Sequence, residues 1–158
     1  MAYWLMKSEP LEYGLADLQR DGSTIWDGVR NYQARNFLRQ MRLRERAFFY
    51  HSNASPPGIF GLMELINKRI KLKIRWLTPA NLTPTVPDPK SPVDNPRWWT
   101  VEVGYVQTCT PPLTLDDLRR HYDPAEFLLL RPGNRWLSVL PVPAAVALDI
   151  AAKTGLRL

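Results

Sequence analysis

Six prolines stand between Thr78 and Pro96, and they set the first constraint on any fold the chain adopts. Proline donates no backbone hydrogen bond and its ring fixes φ, so neither a helix interior nor a central strand can pass through such a stretch. The segment is expected to be an irregular excursion. Regular structure must come from the residues on either side of it.

Before the prolines, Tyr3-Trp4-Leu5-Met6 is an apolar, aromatic run suited to a central strand, ended by Lys7-Ser8-Glu9-Pro10. Gly14 opens a short helix through Leu15, Leu18 and Gln19. Trp26-Asp27-Gly28-Val29 reads as a turn, and Asn31 caps a helix carrying Ala34, Phe37, Leu38 and Met41 at helical spacing. Ala47–His51 is a strand pattern, the Ser/Asn/Pro/Gly run 52–58 a loop, and 59–74 a long β-like stretch bent near Asn67. After the prolines, Trp99, Val101, Val103 and Tyr105 alternate as in a strand. Thr114 starts a capped helix, residues 125–130 form a helical turn, 136–142 a strand, and 144–153 a helix ended near Gly155. About five strands broken by short helices imply an α+β domain with a mixed, strongly curved sheet. A chain of 158 residues is expected to form one domain, residues 1–158.

The net charge of +6 and a pI near 9.7 favour encounter with polyanions. Part of that charge is local, since Lys68, Arg69, Lys71, Lys73 and Arg75 suit one solvated strand face. No run of 18 apolar residues offers a membrane span. The first ten residues lack the basic-then-apolar pattern of a secretory signal. The single cysteine, Cys109, forms no internal disulfide and fits a reducing cytoplasm, as a small strand residue rather than a nucleophile. His51 and His121 lie seventy residues apart with no clustered thiols or carboxylates, so no metal is expected, and neither a phosphate loop nor a dinucleotide fingerprint is present. No cofactor is expected.

Four segments place polar groups beside aromatic ones: 4–10, 26–36, 49–53 and 96–99. In the second, Trp26 and Tyr32 offer flat faces for stacking, Arg30 and Arg35 suit phosphates, and Asn31 and Asn36 suit base edges. Recognition of an extruded base needs that mixture of rings and edge-reading polar groups. A core Trp26 and a purely capping Asn31 explain the same residues equally well. Ser8 and Glu9 are placed to read an exocyclic amino group or to cap a helix, and Lys7 to touch phosphate. His51-Ser52 is a poor nucleophile–base pair, because neighbours on a strand point to opposite faces. His51 suits a base-edge or phosphate contact better.

Taken in order, residues 3–10, 26–36, 49–53, 56–59 and 96–98, and more weakly 112–115 and 137–142, resemble the EVE domain family of the PUA-like superfamily. The run Trp26-Asp27-Gly28-Val29-Arg30-Asn31-Tyr32-Gln33-Ala34-Arg35-Asn36 is the most specific part. The resemblance implies a curved mixed sheet forming a small barrel with peripheral short helices. It also implies a nucleic-acid partner, DNA or RNA, whose modified base, such as a modified cytosine, enters an aromatic pocket. By the same resemblance the pocket residues are Lys7, Ser8, Glu9, Trp26, Val29, Arg30, Asn31, Tyr50, His51 and Ser52, with Trp98, Leu137 and Ser138 as walls. Three departures from the family pattern stand out: a basic, then proline-rich run where an acidic, tyrosine-rich segment is usual; Arg44-Glu45 in place of a Gly-Asp turn; and Trp136 interrupting a small motif.

A base reader is therefore the first expectation, non-enzymatic, without a membrane partner and monomeric. The second is an amidohydrolase like some ASCH-type relatives, using Lys7 and Glu9. The third is a protein-interaction module of an RNA-processing or defence complex.

Overall fold

The computed structural model of the chain describes residues 1–27, 29, 31–72, 75–77 and 99–158, the side chains of 69–72, 75–77 and 99 excepted. The expected excursion over 78–96 and Lys73 lie outside these residues, as do the side chains of Arg69, Lys71 and Arg75 in the expected basic strand face.

Strand β1 is Tyr3–Ser8, and Trp4, Leu5 and Met6 are all buried, so both faces of this strand are covered. β1 pairs in parallel with β3 (Arg46–His51) and antiparallel with β7 (Val139–Val142). β3 continues antiparallel into β4 (Gly58–Leu72), β4 into β6 (Trp99–Thr114), and β6 into the short β2 (Ser23–Ile25), while β5 (Arg75–Leu77) pairs with the far end of β4. The path is β2-β6-β4-β3-β1-β7. Long strands need relief to curl, and β4 against β6 has three register shifts, one between Leu65 and Asn67 where the sequence suggested a bend. Helix α3 (Tyr32–Gln40) packs on both β6 and β7, which lie near opposite ends of the path. One helix thus spans the two ends of an open sheet with a small, barrel-like curve.

Local chemistry sets the helix ends. Asn31 Oδ1 accepts from the Ala34 N–H at 2.9 Å to start α3. Thr114 and Asp117 satisfy each other's backbone N–H groups at the start of α4 (Leu115–His121). Gly155, at φ 74°, ends α5 (Ala144–Thr154). Gly14 precedes α2 (Leu15–Asp21), its N–H donating to Asp17 Oδ2 at 2.8 Å.

Several boundaries differ from the sequence reading. β1 runs on through Lys7 and Ser8, and Pro10 opens a short helix, α1 (Pro10–Tyr13), because proline at a first helical position loses no hydrogen bond. β6 extends to Thr114, past the alternation that marked its beginning. The turn expected over 125–130 is a 3₁₀ turn at Leu128–Leu130. The last strand begins at Val139 rather than at residue 136, and Trp136 sits in a turn, 79% exposed. The Arg44-Glu45 turn forms without glycine: Arg44 takes a left-handed φ of 71°. Glu45, only 5% exposed, accepts from the Trp4 indole at 3.0 Å, the Ala2 N–H at 2.9 Å and the Arg42 N–H at 2.7 Å.

Candidate nucleic-acid interface

Where β1 and β3 end side by side, Lys7 is in register with Tyr50 and Ser8 with His51. A cleft of about 1260 Å³ opens there, bounded by the strand ends, the 24–29 segment, the 52–57 loop, α4 and the 129–138 segment. Of the side chains expected from sequence, Lys7, Ser8, Glu9, Trp26, Val29, Tyr50, Ser52 and Ser138 line it.

Lys7 joins two of these walls. Its backbone N–H donates to the Ser138 carbonyl at 2.8 Å, its amine reaches the Arg135 carbonyl at 3.5 Å, and the amine lies 5.9 Å from the Tyr50 ring centre. Burial lowers the pKa of that amine. Tyr50 is buried, which pushes its phenol up to about 12, opposed by the Arg119 charge; the phenol keeps its proton at neutral pH and can donate. Ser8 Oγ donates to the Tyr13 carbonyl at 2.6 Å, fixing the chain where β1 passes into α1. Trp26 is 7% exposed and meets Phe49 edge-on at 5.4 Å, so most of its ring is core and only a margin reaches the cleft.

Three expected residues stand elsewhere. His51 does not line the cleft, whereas its strand neighbour Tyr50 does. The His51 ring stacks on Phe60 at 4.0 Å, and its Nε2 accepts the Leu15 N–H at 3.1 Å, at the start of α2. Burial lowers its pKa, in keeping with a neutral imidazole. Asn31 is exposed, does not line the cleft, and uses its Oδ1 as the cap of α3. Leu137 is a buried core residue rather than a cleft wall. Arg30 and Trp98 lie outside the described residues, as does the 96–98 block.

The lining also includes residues that sequence reasoning passed over. Arg119 on α4 and Arg131, Arg135 and Trp136 in the turn before β7 supply positive charge and an aromatic ring. Glu9 between β1 and α1, Glu12 on α1 and Asp27 beside Trp26 supply the acidic groups. The Pro132-Gly133-Asn134 sequence was the available signal, since such a turn separates Trp136 from any strand; Gly133 indeed adopts φ 89°. Arg119 carried no signal beyond its place in a basic helix end. Among the described residues no group of three or more His, Cys, Asp or Glu side chains is placed to hold a metal ion, and no helix is long and apolar enough to cross a membrane.

A cleft with aromatic margins, a proton-bearing phenol, a half-buried lysine and both signs of charge at its mouth suits a flat, polar, anion-linked group such as a nucleotide. Rat thymocyte nuclear protein 1 is 41% identical over 131 residues, covering 76% of this chain, and the chain spans about 56% of that relative's length. A crystal structure of a Pseudomonas putida protein has a TM-score of 0.76 at 41% identity, covering 96% of this chain and 98% of that one. The structure of the human THYN1 protein in complex with 5-methylcytosine containing DNA has a TM-score of 0.77 at 33% identity, covering 100% of both chains. The fold is the PUA-like one, a curved mixed sheet with peripheral helices. The EVE domain model matches residues 2–153, and the chain belongs to the EVE domain family.

Proposed function

We propose that this chain is a nucleic-acid-binding module, acting as one unit across residues 1–158, that reads a modified base, a modified cytosine in the first instance, without catalysing a reaction on it. One observation carries the reading: the cleft beside the ends of β1 and β3 sets Tyr50 and the edge of Trp26 next to Lys7, Ser8 and Glu9. The human THYN1 chain that this chain covers in full is seen in complex with 5-methylcytosine containing DNA, and this supports the reading. In this reading the base enters beside Tyr50 and the margin of Trp26 that reaches the cleft. The Glu9 carboxylate accepts from the cytosine amino group, the Tyr50 hydroxyl and the Ser8 and Ser52 segment read the rest of its edge, and Lys7 faces the backbone. The buried thiol of Cys109 suits the reducing cytoplasm as the place of action.

The test is binding to matched oligonucleotides, DNA and RNA, that differ in one cytosine: unmodified, 5-methylated or 5-hydroxymethylated. At least tenfold tighter binding of one modified strand is expected, with the preference reduced in Tyr50→Phe or Glu9→Gln. Equal binding of all strands would overturn it.

A second reading has one specific observation behind it. A desolvated lysine is a better base or nucleophile than an exposed one, and the Lys7 amine is desolvated. Among the described residues no ion pair joins it to Glu9. An amidohydrolase would release free cytidine from N4-acylcytidine in a Lys7-dependent way, and a base reader would not.

A further inference from the structure

We propose that Trp136 and the arginines beside it form a second stacking platform, on the rim of the cleft, which holds the nucleotide adjoining the base inside. The proposal rests on the reading of the cleft as a modified-base site and names the form of its ligand: a strand rather than a free nucleoside.

Trp136 is 79% exposed. A tryptophan left in water forgoes one of the largest apolar gains a side chain can make, and such rings concentrate at binding surfaces. Its exposure is built in rather than accidental. The turn that carries it is fastened on both sides: Asn134 Nδ2 donates to the Leu128 carbonyl at 3.0 Å, and the Leu137 N–H donates to the Asn134 carbonyl at 3.0 Å. Leu137 is then buried in the core, which leaves its neighbour Trp136 facing solvent.

The ring comes with a cation. The Arg135 guanidinium carbon lies 5.6 Å from the Trp136 ring centre, within cation–π range. The same residue's carbonyl receives the Lys7 amine, which itself lies over the Tyr50 ring. Lys7 thus joins the backbone of Arg135, the residue before the rim tryptophan, to the Tyr50 wall of the cleft. Arg119 and Arg131 also line the cleft and are exposed. The acidic lining residues are Glu9, Glu12 and Asp27, so a phosphate finds its positive partners on the α4 and 131–136 side. Space agrees with charge: about 1260 Å³ exceeds the roughly 300–1,000 Å³ of ordinary small-molecule sites, more than one base needs.

The experiment compares wild type, Trp136→Ala and Trp136→Phe for binding of three probes: 5-methyl-2′-deoxycytidine, the trinucleotide thymidine–5-methyldeoxycytidine–thymidine, and its unmodified counterpart. Trp136→Ala is expected to weaken both trinucleotides about tenfold or more, to leave the nucleoside unchanged, and to keep the ratio between methylated and unmodified trinucleotides. Trp136→Phe should retain most of the affinity. Circular dichroism melts should coincide for all three proteins, since the side chain is solvent-exposed. Unchanged trinucleotide affinity in Trp136→Ala would overturn the platform, as would an equal loss of nucleoside binding or no trinucleotide binding by wild type. If wild type binds both trinucleotides alike and Trp136→Ala still weakens both, the modified-base reading fails while the platform stands.

Discussion

The backbone N–H of Leu15 donates to Nε2 of His51 at 3.1 Å, so the first turn of α2 is fastened to the end of β3 by an imidazole that must be neutral to accept. Burial lowers the His51 pKa below its ordinary 6.5. A group whose proton is bound more readily in the unfolded chain contributes stability that is fully present above the unfolded value. That stability is lost as pH falls from about 6.5 through the lower folded pKa. The melting temperature of wild type should therefore fall between pH 7.5 and pH 5.5 by more than that of His51→Asn. Parallel pH profiles for the two proteins would show that His51 does not carry this linkage.

Trp26 lines the cleft but is mostly core. Trp26→Ala should cost about 3–5 kcal/mol of stability, the range for truncating a buried aromatic ring. Lost binding in that variant would then report partial unfolding. Trp26→Phe should retain most of the stability and lose only the part of the ring that reaches a ligand, which urea denaturation and a binding titration on the same sample can separate.

Glu45 gathers the Trp4 indole, the Ala2 N–H and the Arg42 N–H on one buried carboxylate. Glu45→Ala leaves the buried indole donor unpaired, a loss of about 1–3 kcal/mol for that group alone. In a Trp4→Phe background the same substitution should cost less, and a double-mutant cycle measures the difference. A coupling energy of zero would mean that the indole bond contributes nothing.

Gly58 sits where β4 meets the end of β6, and a Cβ added there would lie 2.5 Å from the Leu113 carbonyl oxygen and 2.7 Å from Thr114 Cα. Both are backbone atoms and cannot swing aside. Gly58→Ala should destabilise the fold by about 1–3 kcal/mol, read as a lower midpoint in denaturant with an unchanged slope. An unchanged midpoint would mean that β6 moves aside without cost.

Arg119 is exposed on the cleft lining. If it meets a phosphate, Arg119→Ala should weaken oligonucleotide binding irrespective of base modification and reduce the salt slope of log K by about 1. A changed preference between modified and unmodified cytosine with the slope intact would assign it to the base instead.

Features that depend on neighbours a few residues away were legible in the linear chain. Asn31, Thr114 and Gly155 mark helix ends because a cap is a bond to a backbone group three or four positions distant, or a φ that one residue must adopt. The alternation in β6 and the buried runs of β1 and β3 were legible because side-chain direction repeats every two residues. The specific run at 26–36 pointed to the right family before any geometry was known. Only the tertiary structure decided which of two alternating neighbours, Tyr50 or His51, faces the cleft. The same curl buried most of Trp26, left Trp136 in solvent, and brought Arg119 to the same cleft as Lys7 from more than a hundred residues away. Those outcomes are set by strand register and by the curvature that β4 and β6 acquire at their register shifts. Both are properties of how segments meet, and no single segment contains them.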